Sequence, residues 1–128
     1  MQKQDFAQRT MRFGLRVIRV VESLPKSRAA HVLGVQLLRA GTSVGANYRS
    51  AVRGKSRADF IAKMGIVEEE CDEALYWMEM LVEAGIVSSS RLNDLMNEAN
   101  EIIAIVVSSI RTARARANYR KSGIRNPK

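Results

Sequence analysis

The spacing of apolar residues along the chain predicts four long helices and no strand. Apolar side chains recur every three or four residues over most of the 128-residue chain, which is the period of one helix face. Serines at positions 27 and 56 stand where helix N-caps belong. Because the links between helices are short, residues 1–116 are predicted to form an up-down-up-down four-helix bundle. The predicted helices cover residues 5–23, 27–53, 57–84 and 90–116.

Two of these helices carry more apolar surface than the core of one bundle requires. A surface helix needs an apolar stripe of about 100°. On the first helix, Met11, Leu15 and Ile18 widen that stripe well beyond this arc. We interpret the surplus residues of both helices as an interface between copies of the chain. On the third helix, the large apolar residues away from the main core face are Ile66, Trp77 and Met80.

Charge is segregated along the chain. The net charge is +8, but residues 1–56 carry eleven Lys or Arg against two acids. Residues 57–110 carry three against eleven, and residues 111–128 carry seven basic residues and no acid. Basic surface of this kind favours polyanions, nucleic acid first. The last stretch, residues 117–128, lacks a stable apolar pattern and is predicted to be a flexible basic tail.

Length and composition indicate a single cytoplasmic domain. The 46% of hydrophobic residues suffices for a core. One cysteine cannot form an internal disulfide, and the first residues lack the continuous apolar block of a secretion signal. No apolar run approaches the ~20 residues of a membrane helix. We therefore expect a cytoplasmic protein that has no membrane partner.

The sequence offers no constellation of residues for catalysis. His31 is the only histidine, and no glycine-rich phosphate loop is present. The acidic stretch 68–73 suggests a di-iron bundle as an alternative, but such sites need Glu-x-x-His pairs. Cys71 lies at the centre of the third helix's apolar face, where a thiol packs as a small hydrophobe. We expect no enzymatic activity, cofactor, bound metal or small-molecule substrate.

Arginines provide the candidate binding residues. A helical stripe at intervals of three and four, here called the basic ridge, consists of Arg9, Arg12, Arg16 and Arg19. Such a ridge suits a row of phosphates, and it equally suits solvent or pairing with acids of the third helix. Because aromatic residues make up only 5% of the chain, backbone or shape recognition of RNA or DNA is favoured over base reading. The predicted phosphate contacts are Arg9, Arg12, Arg16, Arg19, Arg39, Arg49, Arg53, Lys55, Arg111, Arg114, Arg116, Arg120 and Lys121.

Small and polar residues interrupt the second predicted helix. Gly41 and Gly45 are one turn apart, and each disfavours a helix interior by about 1 kcal/mol relative to alanine. One interpretation is a tight helix crossing with a satisfied polar seam. The other is a groove that meets a ligand or a neighbouring subunit. The polar residues along this edge of the core face are Gln36, Ser43 and Asn47.

The stretches QLLRAGTSVGANYRSA and SRADFIAKMGIVEEECDEALYWMEML resemble the four-helix-bundle family of 23S rRNA intervening-sequence proteins. The resemblance covers roughly residues 5 to 115. Ser50 stands where a glutamate is usual, so this chain lacks the carboxylate for a salt bridge or site at that position. The residues that carry the resemblance are Gln36, Leu37, Arg39, Ala40, Ser43, Val44, Ala46, Asn47, Ser56, Asp59, Phe60, Glu73, Tyr76 and Trp77.

This resemblance implies a left-handed four-helix bundle that assembles as a homopentameric ring. A related bundle, the accessory protein of diversity-generating retroelements, is a basic pentamer that binds nucleic acid. Resemblance and charge together predict a non-enzymatic, oligomeric, nucleic-acid-binding bundle, with RNA as the first choice. The alternative hypothesis is a homo-oligomeric protein-interaction scaffold. A protein partner recovered in fixed ratio after nuclease treatment would favour the scaffold.

Overall fold

A computed structural model describes residues 3–121 of the chain, and this part is all-α with no strand. The four predicted helices are confirmed. They are α1 (Lys3–Glu22), α2 (Arg28–Val52), α3 (Arg57–Glu83) and α4 (Ser89–Lys121). None of these helices is both long and apolar enough to cross a membrane.

Local chemistry sets the helix boundaries. The Ser27 and Ser56 hydroxyls accept hydrogen bonds from the backbone N–H groups of Ala30 and Asp59, at 3.1 and 3.0 Å. Both serines therefore cap orphan N–H groups of a first turn, as the sequence predicts. Gly85 ends α3 with φ 72°, a left-handed conformation that suits glycine. The chain then turns into α4 with the Ile86 N–H bonded to the Leu81 carbonyl at 3.0 Å.

Helix α4 is longer than predicted. It continues through residues 117–121, beyond the end expected near residue 116. The reason is compositional, since alanine and arginine are strong helix formers and no glycine or proline occurs between Ser89 and Lys121. The first five residues of the predicted flexible tail, 117–121, therefore belong to α4. Its other residues, 122–128, lie outside the described part of the chain.

One hydrophobic core receives residues from all four helices. Thr10 is the one buried polar side chain among the described residues, and its hydroxyl donates to the Ala7 carbonyl at 3.0 Å. Leu81 is fully buried, whereas its neighbour Val82 is half-buried. The largest fully buried side chains are Phe13, Leu37, Met64, Met78, Leu81, Leu92 and Ile102.

Cys71 is a buried structural thiol, as predicted. Its Sγ donates to the Ala99 carbonyl across the α3–α4 contact at 3.4 Å. Burial, with smaller contributions from Asp72 and Glu98, raises the pKa of the thiol to about 12. Because the thiolate is the reactive form, this cysteine is not a nucleophile near neutral pH.

Candidate nucleic-acid interface

Two segments that are distant in sequence bring their cationic side chains to the same end of the bundle. Gly54 and Arg57, where α2 passes into α3, line the same cleft as Thr112 and Arg116 near the end of α4. The strongly basic stretches 49–57 and 111–116 thereby converge. We call this surface the basic end. It consists of Arg49, Arg53, Lys55, Arg57, Arg111, Arg114 and Arg116.

The positive charge of the basic end is not neutralised within the described chain. The ion pairs between residues 3 and 121 use Arg9, Arg39 and Lys63 as cations, and none uses a residue of the basic end. The nearby acid, Asp59, is bound by Lys63 at 3.1 Å. Arg111 and Arg114 are exposed, and both were predicted as phosphate contacts. The side chains of Arg120 and Lys121, also predicted, lie outside the described residues.

The basic ridge on α1 has a different environment, because α4 supplies it with acids. Arg9 binds Glu98 through two hydrogen bonds of 2.7 Å and reaches Glu101 at 3.0 Å. The Arg9 hydrogen bond lowers the pKa of Glu98, and the charges of Arg16 and Arg12 lower it further. A phosphate at Arg9 would have to displace two carboxylates. Arg12 and Arg19 remain exposed, whereas Arg16 is half-buried.

The Arg9–Glu98 pair predicts a specific dependence of stability on pH. The pKa of Glu98 is lowered in the folded state, so its contribution is present above the ordinary pKa near ~4.3. It is lost as the pH falls through the lowered value. Arg9→Gln should reduce the free energy of unfolding at pH 7 by about 1–3 kcal/mol, because a charged hydrogen-bonded pair is lost. Urea unfolding at pH 7 and at pH 3 measures both effects.

The matched control is Arg19→Gln, because Arg19 is exposed and has no ion pair among the described residues. This change should alter stability by less than about 0.5 kcal/mol at either pH. The Arg9→Gln deficit should be smaller at pH 3 than at pH 7, because pH 3 lies below the ordinary pKa of a glutamate and the stabilisation by ionised Glu98 declines there. Equal deficits at both pH values would contradict the ion pair as their cause.

The polar seam of α2 is satisfied mostly within the helix itself. The Ser43 hydroxyl donates to the Arg39 carbonyl at 2.7 Å, and the Asn47 amide donates to the Ser43 carbonyl at 2.8 Å. Arg39 spans the α2–α3 contact, since its guanidinium donates to Gln36 and binds Glu73 at 3.0 Å. Each of the three polar residues of this edge therefore has a hydrogen-bond partner within the chain.

The two glycines of α2 form a close crossing with α1. A Cβ placed on Gly41 would lie 2.7 Å from a methyl group of Val17. A Cβ on Gly45 would lie 3.4 Å from Thr10. The space beside the glycines is therefore filled by α1, which is the arrangement of a tight helix crossing.

The outer side of the same crossing is an apolar groove with a basic rim. The groove between α1 and α2 has a volume of about 760 Å³. Its lining includes Met11, Leu15 and Ile18, which are 62%, 44% and 37% exposed. Arg12, Arg49 and Arg53 also line this α1–α2 groove. All three apolar residues predicted as an interface on α1 thus remain uncovered in the isolated chain.

The outer face of α3 has the opposite charge. Ile66 and Tyr76 are exposed there, at 41% and 50%. Exposed acids surround them, and none forms an ion pair within the described part of the chain. We call this surface the acidic face. It consists of Ile66, Glu69, Asp72, Tyr76 and Glu79.

Trp77 lies closer to the core than predicted. It is half-buried, packs against the hydrophobic core, and its Nε1 donates to Glu73 at 3.3 Å. The reason is its register, since it follows buried Ala74 by three residues and precedes buried Leu81 by four. Met80 is also half-buried, so on α3 only Ile66 of the three predicted interface residues is exposed.

A second concavity, which we call the end cleft, lies within the basic end and has a volume of about 470 Å³. Arg57 was predicted only as the start of the third helix and not as a site residue. The serine and threonine hydroxyls of α4 in this cleft were not predicted either. The signal was present, because Ser108 and Ser109 interrupt the apolar run IIAIVVSSI. The polar lining consists of Arg57, Ser108, Ser109, Thr112 and Arg116, with Phe60 among the apolar lining residues.

Metal ligands do not gather in the part of the chain that the structure describes. Between residues 3 and 121, no three His, Cys, Asp or Glu side chains lie close enough together to hold a metal ion. The glutamates of stretch 68–73 are distributed around α3 instead, with Glu73 half-buried beside Arg39 and Glu69 exposed.

Four helices around one core, with an uncompensated basic end, define a small all-α bundle of the kind expected from the sequence. The family model described as 23S rRNA-intervening sequence protein matches residues 2–108. The chain belongs to this family. It is similar to a crystal structure of a protein of unknown function from the S23 ribosomal protein family of Bacteroides thetaiotaomicron. The two share 32% identity with a TM-score of 0.81, over 87% of this chain and 99% of the other. No curated protein matches this sequence.

Proposed function

We propose that this protein is a cytoplasmic, non-enzymatic, oligomeric nucleic-acid-binding bundle that contacts phosphates through its basic end. The observation that carries the proposal is the convergence of two acid-poor segments, 49–57 and 111–116, at one end of the fold. A guanidinium fork matches the oxygens of a phosphate, and unpaired arginines bind it without first breaking an internal ion pair.

RNA is the first polymer to test. The family description names the intervening sequences of 23S rRNA, which supports RNA over other polyanions. No described surface combines several exposed aromatic rings with the basic end, so stacking of successive bases is not the expected mode. Contacts to the sugar–phosphate backbone then dominate both affinity and its dependence on salt.

Assembly follows from two surfaces that complement each other. The α1–α2 groove has an apolar floor and an arginine rim, and the acidic face of α3 has exposed apolar residues among carboxylates. We propose that the acidic face of one copy covers the groove of the next. Because the two surfaces differ, the contact is heterologous, and repeated contacts close into a ring when the rotation allows it.

A ring increases the effect of the basic end. The family resemblance implies five copies, and the short links between the helices predict an up-down-up-down bundle in each subunit. Each copy then presents its own basic end to the same polymer, and binding becomes multivalent. Rim residues Arg12, Arg49 and Arg53 serve assembly in this arrangement. Of the basic end, Lys55, Arg57, Arg111, Arg114 and Arg116 are then left for phosphate contact, together with Arg16 and Arg19 of the basic ridge.

The test removes two arginines that line neither concavity. Arg111→Gln with Arg114→Gln should weaken binding of a structured RNA about 30-fold in ~100 mM salt, because two charged contacts of about 1 kcal/mol each are lost. The slope of log affinity against log salt should become shallower by about 1.4–1.8, which is 0.7–0.9 for each lost phosphate contact. Mobility shifts and fluorescence anisotropy over a salt series give both quantities.

The matched control is Lys26→Gln with Arg28→Gln, which removes the same charge from the opposite end of α2. That end has mixed charge, with Glu22 and Glu83 at adjacent helix ends. The affinity of this control variant for RNA should be less than about twofold below that of the unmodified protein. Absence of RNA and DNA binding by the unmodified protein at low salt would refute the proposal.

A further inference from the structure

We infer that the end cleft binds one ribonucleotide unit of an RNA strand, with Arg57 and Arg116 on the phosphate and the hydroxyls of α4 on the ribose. This inference rests on the proposed function and names the chemical unit that the basic end recognises. Of the five polar residues that line the cleft, only Arg116 is among the phosphate contacts predicted from the sequence. The polar lining residues are Arg57, Ser108, Ser109, Thr112 and Arg116.

The end cleft exists because α1 does not extend as far as residues 108–116 of α4. Arg9 lies level with Glu98 and Glu101, and Arg91 bonds to Ser23 near the other end of α1, so the two helices run in opposite directions. At 1.5 Å per residue in each helix, Lys3 at the start of α1 reaches about residue 106 of α4. The following turns of α4 therefore face the end of α2 and the start of α3 without cover from the described part of α1.

Both cleft arginines are available to a ligand. Neither Arg57 nor Arg116 forms an ion pair or side-chain hydrogen bond with another described residue. Arg57 is the first residue of α3, so its guanidinium lies beside the positive end of that helix dipole. Two guanidinium groups in one concavity are a strong determinant for phosphate, since each can bind two oxygens.

The hydroxyls of the cleft also lack a hydrogen-bond partner among the described residues. Serine and threonine inside helices commonly donate to a carbonyl of their own helix. Thr42 and Ser43 of α2 do so, at 2.7 Å each. Ser108, Ser109 and Thr112 make no such bond in the described structure. Three uncommitted hydroxyls beside two arginines thus line one side of the cleft.

The serine and threonine hydroxyls can both donate and accept a hydrogen bond. The ribose 2′-hydroxyl, which distinguishes RNA from DNA, can do the same, so the two match.

The apolar lining of the cleft suits the base, which is the remaining part of a nucleotide. Phe60, Val52 and Ala113 contribute carbon surface to the cleft. A volume of about 470 Å³ lies in the range of small-ligand sites. Phosphate, sugar and one face of the base therefore each meet a matching surface.

The experiment compares a 12-nucleotide RNA with DNA of the same sequence by fluorescence anisotropy. Arg57→Gln with Arg116→Gln should weaken RNA binding at least ~10-fold, against less than ~2-fold for the control Lys26→Gln with Arg28→Gln. Ser108→Ala, Ser109→Ala and Thr112→Val together should lower the ratio of RNA to DNA affinity about fivefold. DNA affinity should not change in this hydroxyl variant. Circular dichroism verifies that each variant is folded.

A second measurement tests the cleft without a polymer. Saturation-transfer NMR with adenosine 5′-monophosphate should show binding to the unmodified protein that is lost in the Arg57→Gln, Arg116→Gln variant. The 2′-deoxy nucleotide should bind more weakly. This arm separates a strand from a free nucleotide as the source of the ligand.

Each outcome decides between the two proposals. RNA binding that persists unchanged in the cleft variants, or falls equally in the control, overturns the cleft and leaves the proposed function standing. A second outcome is that the cleft binds the mononucleotide while the protein binds neither RNA nor DNA. That outcome overturns the proposed function and the assignment of an RNA strand as the ligand of the cleft. Arginine dependence without any effect of the hydroxyl variant on the RNA to DNA ratio overturns the ribose contact.

Discussion

Gly41→Ala should destabilise the protein, whereas Gly65→Ala should stabilise it, although the chemical change is the same. A Cβ on Gly41 would lie 2.7, 2.8 and 3.0 Å from the Cγ2, Cγ1 and Cβ atoms of Val17. A Cβ on Gly65 would meet nothing within 4 Å. Both glycines lie inside helices, so both substitutions gain about 1 kcal/mol in helix propensity. The difference between them therefore isolates the packing of α1 against α2.

Val17 cannot easily make room for the added methyl group. It is fully buried and β-branched, and such a side chain has one strongly preferred rotamer in a helix. Overpacking a core typically costs about 1–3 kcal/mol. After the gain in propensity, Gly41→Ala should lower the free energy of unfolding by up to about 2 kcal/mol. Gly65→Ala should raise it by about 0.5–1 kcal/mol, as measured by urea unfolding.

A rescue substitution tests the cause. Val17→Ala removes the two methyl groups that the new Cβ would meet, so it should cost less in the Gly41→Ala background than in the unmodified protein. Additive effects of the two changes would contradict the close crossing. An increase in stability from Gly41→Ala alone would show that α1 and α2 separate at small cost.

The helices and much of the core could be predicted from the sequence because their causes are local. Ser56 caps α3 through a hydrogen bond to a residue three positions away, and Gly85 ends it through its own φ angle. The burial of Cys71 follows from its place in a continuous three-and-four spacing. Such features depend on neighbours within one or two turns, which a sequence displays directly.

The site could be predicted only in part, because its geometry depends on how distant segments align. The residues of the Arg9–Glu98 pair are 89 positions apart, and nothing in either local sequence indicates the partner. The end cleft likewise depends on how far α1 reaches along α4. Trp77 packs closer to the core than its spacing indicates, because it lies on the flank of the core face, where a small rotation of the helix decides its burial.

Segregated charge is consistent with both assembly and binding once the surfaces are located. Basic residues of the first half lie around the α1–α2 groove and acids of α3 lie on the outer face, so the two halves of the sequence suit an intermolecular contact. The described part of the last basic stretch, residues 111–121, lies on the part of α4 beyond α1. Assembly therefore need not neutralise the arginines that remain for nucleic acid.

Met11→Glu with Leu15→Glu should convert the assembly into folded single subunits. These residues are 62% and 44% exposed in the isolated chain, so each carboxylate is tolerated there. In the proposed assembly both would enter an apolar contact opposite the acidic face of a neighbour. Burial of unpaired charge facing like charge costs several kcal/mol per contact, enough to reduce association more than about a hundredfold. Sedimentation velocity at micromolar concentration measures the change.

The control Ala104→Glu adds a carboxylate at an exposed α4 position outside both surfaces and should leave the assembly intact. A complementary variant, Asp72→Arg with Tyr76→Arg, breaks the acidic face and should also give single subunits. Mixing the two broken variants is the decisive measurement, because each retains the surface that the other lacks. One intact groove then meets one intact acidic face, and the mixture should form a one-to-one dimer that grows no further. A mixture of single subunits, or an unmodified protein that itself sediments as one folded subunit, would refute the contact.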